Sequence, residues 1–159
     1  MGSRGNNAEA TREVARALEY DSTAFVISQL GARVYLRAGD NARAMFYARK
    51  LPPLAPWDGM AAYVLGSAGD RPAAQAIVRR LESASQTPWF GNYALAMGHL
   101  GLSDTSRTLT YLERATDARE IWATYNRVQD SMWDPVRKSA RWVELMKRVG
   151  LQNAPGAVR

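Results

Sequence analysis

The sequence holds no cysteine and a single histidine, His99, among its 159 residues. Without thiols, no disulfide framework, thiolate metal site or cysteine nucleophile can form. A reducing compartment fits this, and a metal site built on one histidine would have to rest on carboxylates. No apolar run reaches the ~20 residues needed to span a bilayer, and the N-terminus lacks the apolar core of a secretion signal. A glycine-rich phosphate loop, a nucleophile elbow and paired histidine ligands are also missing. The carboxylates Asp117, Glu120 and Asp130 are scattered near expected helix ends, where capping and solvation account for them. These absences point away from an enzyme and from any metal or cofactor.

Acidic side chains are the scarcer sign, 15 against 21 Lys and Arg, for a net charge of +6. Such a balance attracts anionic partners, yet Arg-rich helical surfaces carry it without any partner. Apolar residues make up 47% of the chain, enough for one folded domain with a real core. The frequent Ala, Leu, Arg and Met favour helix, while Pro and Gly fall mostly between the apolar segments.

What the chain does have is a recurring punctuation. Ala38-Gly39-Asp40 returns as Ala68-Gly69-Asp70 and, stretched, as Leu100-Gly101-Leu102-Ser103-Asp104. Each copy follows one apolar segment of helical period and precedes another rich in Ala and Arg. The spacing, about 30 to 34 residues, is that of helix-turn-helix repeats, which bury their apolar faces only by stacking. Helices are expected over 8–20, 25–38, 42–51, 57–67, 72–83, 89–100 and 105–118. Gly supplies the left-handed turn residue, Asp40 or Asn41 the cap, and Pro72 sits harmlessly in a first turn. In the first-type helices Ala32, Ala62 and Ala94 fall in register, and Val26, Leu30 and Val34 form the expected apolar stripe of the earliest one. In the return helices Ala44, Ala74 and Thr108 coincide, as do Ala48, Val78 and Leu112.

This pattern resembles the tetratricopeptide repeat over residues 8–118, carried by the small-residue register, the Gly-Asp turn, the Ala opening each return helix and Pro56. The resemblance implies an all-α, right-handed α-α superhelix, a solenoid. It divides the chain into a half repeat at 8–22 and repeats at about 24–54, 55–86 and 88–118. Residues 119–151 form a linker and capping helix, and 152–159 a flexible tail. Residues 1–7, polar and Gly/Asn-rich, are expected to fray, Met1-Gly2-Ser3 being set aside as a cloning remnant. The departures are Gly31, where a large apolar residue is usual, and an apparent insertion at Leu102-Ser103.

The tail, with Trp122, Trp133-Asp134-Pro135-Val136-Arg137 and Leu145 to Leu151, is similar to the ending of bacterial multidomain signalling proteins of this kind. These include serine/threonine kinases, nucleotide cyclases and winged-helix or TolB-like regulators. The implied function is a non-catalytic protein–protein interaction or oligomerisation module, the C-terminal part of such a protein. The alternative is a sensory or regulatory domain of an attached kinase or cyclase. The bacterial cytoplasm is the expected location, the outer side of a membrane-anchored parent the other one. The tail also makes sense as a cap: Val136, Trp142 or Val143, Leu145, Met146 and Val149 can cover the open end of a solenoid.

In the family's register, Gln29, Arg33 and Arg37 line the inner, concave groove, with Tyr63 and Ser67 in the next repeat and His99 at the end of a third helix. Arg33 and Arg37, four apart, share a helix face. Gly59, Gly66, Gly91 and Gly98 leave that groove shallow. The expected partner is a protein or peptide, anionic if the arginines read it. A second copy docking on the N-terminal half-repeat end is also expected. Trp57 and Trp89 are expected to staple adjacent repeats, and Trp122, Trp133 and Trp142 to anchor the cap. The helical spacing of these aromatics argues for core packing rather than nucleic-acid stacking.

Overall fold

The computed structural model describes residues 3–20, 25–84, 89–122 and 128–154, with side chains of the first helix placed from 9 to 17. The expected stop at Asp21-Ser22-Thr23, the Ser85-to-Pro88 loop and the Pro155-Gly156 end lie outside the described residues. Among those described the fold is all-α, without a strand. Its helices are α1 (Ser3–Tyr20), α2 (Phe25–Ala38), α3 (Asn41–Ala48), α4 (Trp57–Ser67), α5 (Arg71–Glu82), α6 (Gly91–Gly101) and α7 (Thr105–Asp117). A 3-10 turn (Ser131–Trp133) and α8 (Ala140–Arg148) follow. The first helix begins at Ser3, so residues 3–7 are helical where fraying was expected.

The three punctuation marks make one and the same turn. Gly39, Gly69 and Ser103 all have positive φ, at 80, 109 and 62°. In each, the next N–H reaches back to the carbonyl of Tyr35, Leu65 or His99 at 2.8–2.9 Å. The carboxylates of Asp40, Asp70 and Asp104 then cap the following helix, accepting from Arg43, Ala73 and Arg107 N–H at 3.0, 3.2 and 3.0 Å. Ser103 thus takes the left-handed place, and Leu102-Ser103 is no insertion. The longer third spacing arises in α5, which spans 12 residues against 8 in α3.

Helices pack with their neighbours in sequence: α2 on α3, α4 on α5, α6 on α7, and each of α1, α3 and α5 on the helix that follows it. The first-type helices also meet one another, α4 and α6 most intimately. A Cβ at Gly59 would sit 2.4 Å from Ala94 Cα, and one at Gly101 would sit 2.6 Å from Tyr63 Cα. Two backbones touch only where side chains vanish, which is why glycine stands here. Gly59, Gly66 and Gly98 therefore fill helix contacts and do not floor a groove, as the sequence reading had it. At the places of Gly59, Tyr63 and Gly66 of α4, α2 carries Gln29, Arg33 and Leu36, and it stands further from its neighbour α4.

The return-helix register holds, with Ala44, Ala74, Thr108, Ala48, Val78 and Leu112 all buried. In the first-type helices the common turn makes Ala96, not Ala94, the counterpart of Ala32 and Ala62. All four are fully buried. The expected stripe of α2 is displaced. Its buried face is Ser28, Gly31, Ala32 and Tyr35, whereas Val26 and Leu30 are more than half exposed. Gly31 faces Val14 of α1 and Tyr47 of α3, which stand at ordinary contact distances of 3.5 and 3.4 Å from a would-be Cβ.

The C-terminal segment closes the core. Trp122, Trp133 and Trp142 are wholly buried and mutually in contact, ring centroids 6.2–6.4 Å apart. Tyr93 of α6 lies 6.0 Å from Trp133. In α8 it is Trp142, with Leu145 and Met146, that faces inward, Val143 being half-buried. Arg141 fastens α8 to α7 through both oxygens of Glu113, at 2.9 and 2.7 Å, and holds that carboxyl below the usual carboxylate range. Of the two expected stapling tryptophans, Trp57 meets Phe25 edge-on at 5.1 Å. Trp89 does not staple: it is 79% exposed and lies edge-on to Phe90, which turns inward in its place.

Candidate functional site

The spacing of Gln29 and Arg33, and of Arg33 and Arg37, brings these side chains onto one side of α2. Tyr63 and Ser67 answer them from α4, and the two helices are far enough apart to leave space between. A cavity of about 280 Å³ is lined by Gln29, Arg33, Trp57, Met60, Met97 and Met132, among others. A second, of about 230 Å³, is lined by Arg33, Arg37, Tyr63, Ser67, Asp130 and Met132, among others. Five of the six residues singled out from the sequence therefore come together.

The structure also brings in a residue that sequence reasoning left among the scattered carboxylates. Asp130 enters between α2 and α4 from the far end of the chain. The Arg33 guanidinium donates to one of its carboxylate oxygens, and Arg37 lies 3.5 Å from the other. That second oxygen also accepts the Met132 N–H at 3.2 Å, so the carboxylate caps the 3-10 turn as well. Its main-chain oxygen takes a 2.7 Å bond from Arg137, which is itself 1% exposed, bonded to Asp134 at 2.8 Å and laid over the Trp142 ring. One carboxylate is thus held by two guanidiniums beside a phenol. Burial pushes the Tyr63 phenol up, against the opposing pull of Arg33 and Arg37. Chemically the arrangement is a receptor for an anionic oxygen pair, occupied by the protein's own chain.

His99 lies elsewhere, and the expectation that it lines the groove is corrected. Five positions before Asp104, it occupies in its repeat the place Tyr35 occupies before Asp40. Tyr35 stacks on Tyr47 at 5.5 Å, and His99 stacks on Tyr111, the matching residue of α7, at 5.3 Å. The ring is buried, with Nε2 3.2 Å from Glu82 of α5. Burial lowers its pKa, and the bond to Glu82 partly offsets that. The adjoining cavity of about 370 Å³ is lined by Arg71, Arg79, Glu82, Asp104 and Arg107 as well as His99, a mixture of signs.

Among the described residues no group of His, Asp and Glu side chains is placed to hold a metal ion, and no helix is long and apolar enough to cross a membrane. Compared with known protein families, with curated proteins and with solved structures, the chain finds no match.

Proposed function

We propose that the chain is a non-catalytic interaction module of the tetratricopeptide kind, a right-handed helical solenoid belonging to a larger signalling protein. Its side between α2 and α4 receives a carboxylate-bearing segment of a protein partner. The single observation that supports this is the pair Arg33 and Arg37 closing on Asp130: two cations already accommodate a carboxylate carried by a turn of the chain, with apolar Met60, Met97 and Trp57 alongside. Preformed helices binding an extended segment need little rearrangement, which favours affinity. The partner's carboxylate takes the place of Asp130. Titration calorimetry with an Asp/Glu-rich peptide tests the reading. Asp130→Asn, which removes the internal competitor, raises affinity, and Arg33→Gln with Arg37→Gln abolishes it. A peptide that binds none of the three proteins, or all alike, removes the proposal.

A second reading, self-association, is favoured by α2. Leu30, Val34 and Arg37 stand where Ala94, Gly98 and Gly101 of α6 pack on a preceding helix, and Leu30 is 51% exposed. A helix of a second copy fits that face. Light scattering over a concentration series, with Leu30→Glu as the control, decides it: a chain monomeric throughout leaves the face unused.

A further inference from the structure

Phe25, Leu54, Trp89 and Ile121 are among the most exposed large apolar side chains, at 43, 63, 79 and 63%. They come from four separate stretches: the start of α2, the α3–α4 connection, the residue pair before α6, and the segment after α7. The fold gathers them on one edge. α4 and α6 run parallel, with Gly59 beside Ala94 and Tyr63 beside Gly101, so their N-termini lie at the same end. The edge-on contact of Phe25 with Trp57 ties the start of α2 to that end. Glu120 accepts the Asn92 and Tyr93 N–H groups at 3.2 and 2.9 Å, which sets Ile121 beside the N-terminus of α6.

Positive charge accompanies this ridge. Lys50 precedes Leu54 in the same connection, with its ammonium over the ring of Phe46, itself 53% exposed. Arg119 precedes Ile121 and is exposed. Among the described residues, the carboxylates near this edge are already engaged. Asp58 is buried and held by Arg80 at 2.5 Å, Glu120 caps α6, and Asp117 is held by Arg148 at 2.5 Å. The ridge side chains stand exposed and line none of the cavities described above. Protein hot spots sit in packed, water-excluding pockets. Interfacial anchors are instead protruding Trp and aliphatic side chains with Lys and Arg at headgroup level.

We propose that this edge docks on the surface of an anionic bilayer. Trp89 and Ile121 enter the boundary between headgroups and acyl chains, and Lys50 and Arg119 lie against lipid phosphates. The docking is peripheral and weakens with salt, because the surface potential of acidic lipids falls off within a Debye length. It uses none of the groove residues.

The test is co-sedimentation of the whole chain with vesicles of phosphatidylcholine alone or mixed with phosphatidylglycerol, at low salt. The chain is expected to partition onto the mixed vesicles and not onto phosphatidylcholine, with a blue shift of tryptophan emission. Trp89→Ser with Ile121→Ser should lower partitioning about tenfold or more, since each exposed apolar anchor contributes directly to insertion. Lys50→Ser with Arg119→Ser should lower it several-fold and flatten its salt dependence. These side chains are exposed, so the melting curves of the variants should match the parent and separate lost docking from lost folding. Arg33→Gln with Arg37→Gln should leave partitioning unchanged, which keeps this proposal separable from the groove. Absence of partitioning onto either vesicle, or partitioning indifferent to Trp89 and Ile121, overturns it. So does a chain that ignores vesicles but self-associates through these residues, because the ridge is then a protein contact.

Discussion

Asp130 and Arg33, separated by 97 positions in the chain, meet between α2 and α4. The contact joins the earliest first-type helix to the C-terminal turn, and Arg37 stands behind Arg33 as a second partner for the same carboxylate. Each arginine can cover for the other. Arg33→Gln alone should cost about 1 kcal/mol, less than the ~1.5–3 kcal/mol of a hydrogen bond to a charged group, because Arg37 moves onto Asp130. The double substitution should cost more than the two singles added together, since a largely buried carboxylate then loses both cations. Urea unfolding of the two singles and the double is the measurement. Strict additivity would mean that the two guanidiniums do not share Asp130.

Gly59 should tolerate nothing larger. The Ala94 backbone lies where its Cβ would go, so Gly59→Ala must drive α4 and α6 apart. The higher helix propensity of alanine, worth ~1 kcal/mol, works the other way. Overpacking against backbone, ~1–3 kcal/mol, outweighs it. At Gly39, by contrast, no atom stands within 4 Å of the would-be Cβ, and only the φ of 80° resists substitution. Thermal unfolding should therefore rank Gly59→Ala below both the parent and Gly39→Asn, asparagine being tolerated in the left-handed region. A Gly59→Ala protein as stable as the parent would contradict the backbone contact.

These pairs also show what a sequence can disclose. The turns were legible because Asp and a left-handed residue are local requirements, and counting from each Asp recovers the return-helix register unaided. The same count carried backwards from Asp104 gives Ala96 as the partner of Ala62, and His99 as the partner of Tyr35. Anchoring on Gly101 instead of Ser103 hid both, because Gly101 looks like the turn glycine although it serves α4. The stripe of α2 misled for another reason. Val26 and Leu30 have helical spacing, but periodicity does not say which neighbour is present to cover a face. Asp130 was beyond reach: an ion pair across the whole chain depends on where the C-terminal turn lands, and no local pattern encodes that.

The three buried tryptophans make the cap part of the core rather than an appendage. Trp133→Ala would open a cavity among Trp122, Trp142 and Tyr93 and should cost about 3–5 kcal/mol. It should also release the Asp130 turn, whose adjacent Met132 and Trp133 are both buried. Hydrogen exchange would then show loss of protection in 128–133 together with the α2–α4 contact. A variant that exchanges faster only near residue 133 would show that the groove is held without the cap.

His99 makes stability depend on pH in a stated direction. Its pKa is lowered in the folded protein by burial, so the native state binds the proton less readily than the unfolded chain does. Between the folded value and the ordinary value of 6.5 the unfolded chain holds more protons, and stability rises with pH across that window. The contribution is fully present above 6.5 and is lost as pH falls through the folded value. Glu82 moderates the effect, since its carboxylate favours the imidazolium. The melting temperature should therefore drop between pH 7.5 and pH 5, and His99→Gln, which can still bond Glu82, should drop less over the same interval. Glu82→Gln should drop more than the parent, because the buried ring then loses the carboxylate it bonds and keeps only the weaker pull of Asp104 once protonated. If His99→Gln loses as much as the parent on acidification, another group sets the pH dependence and the stacked ring is only packing.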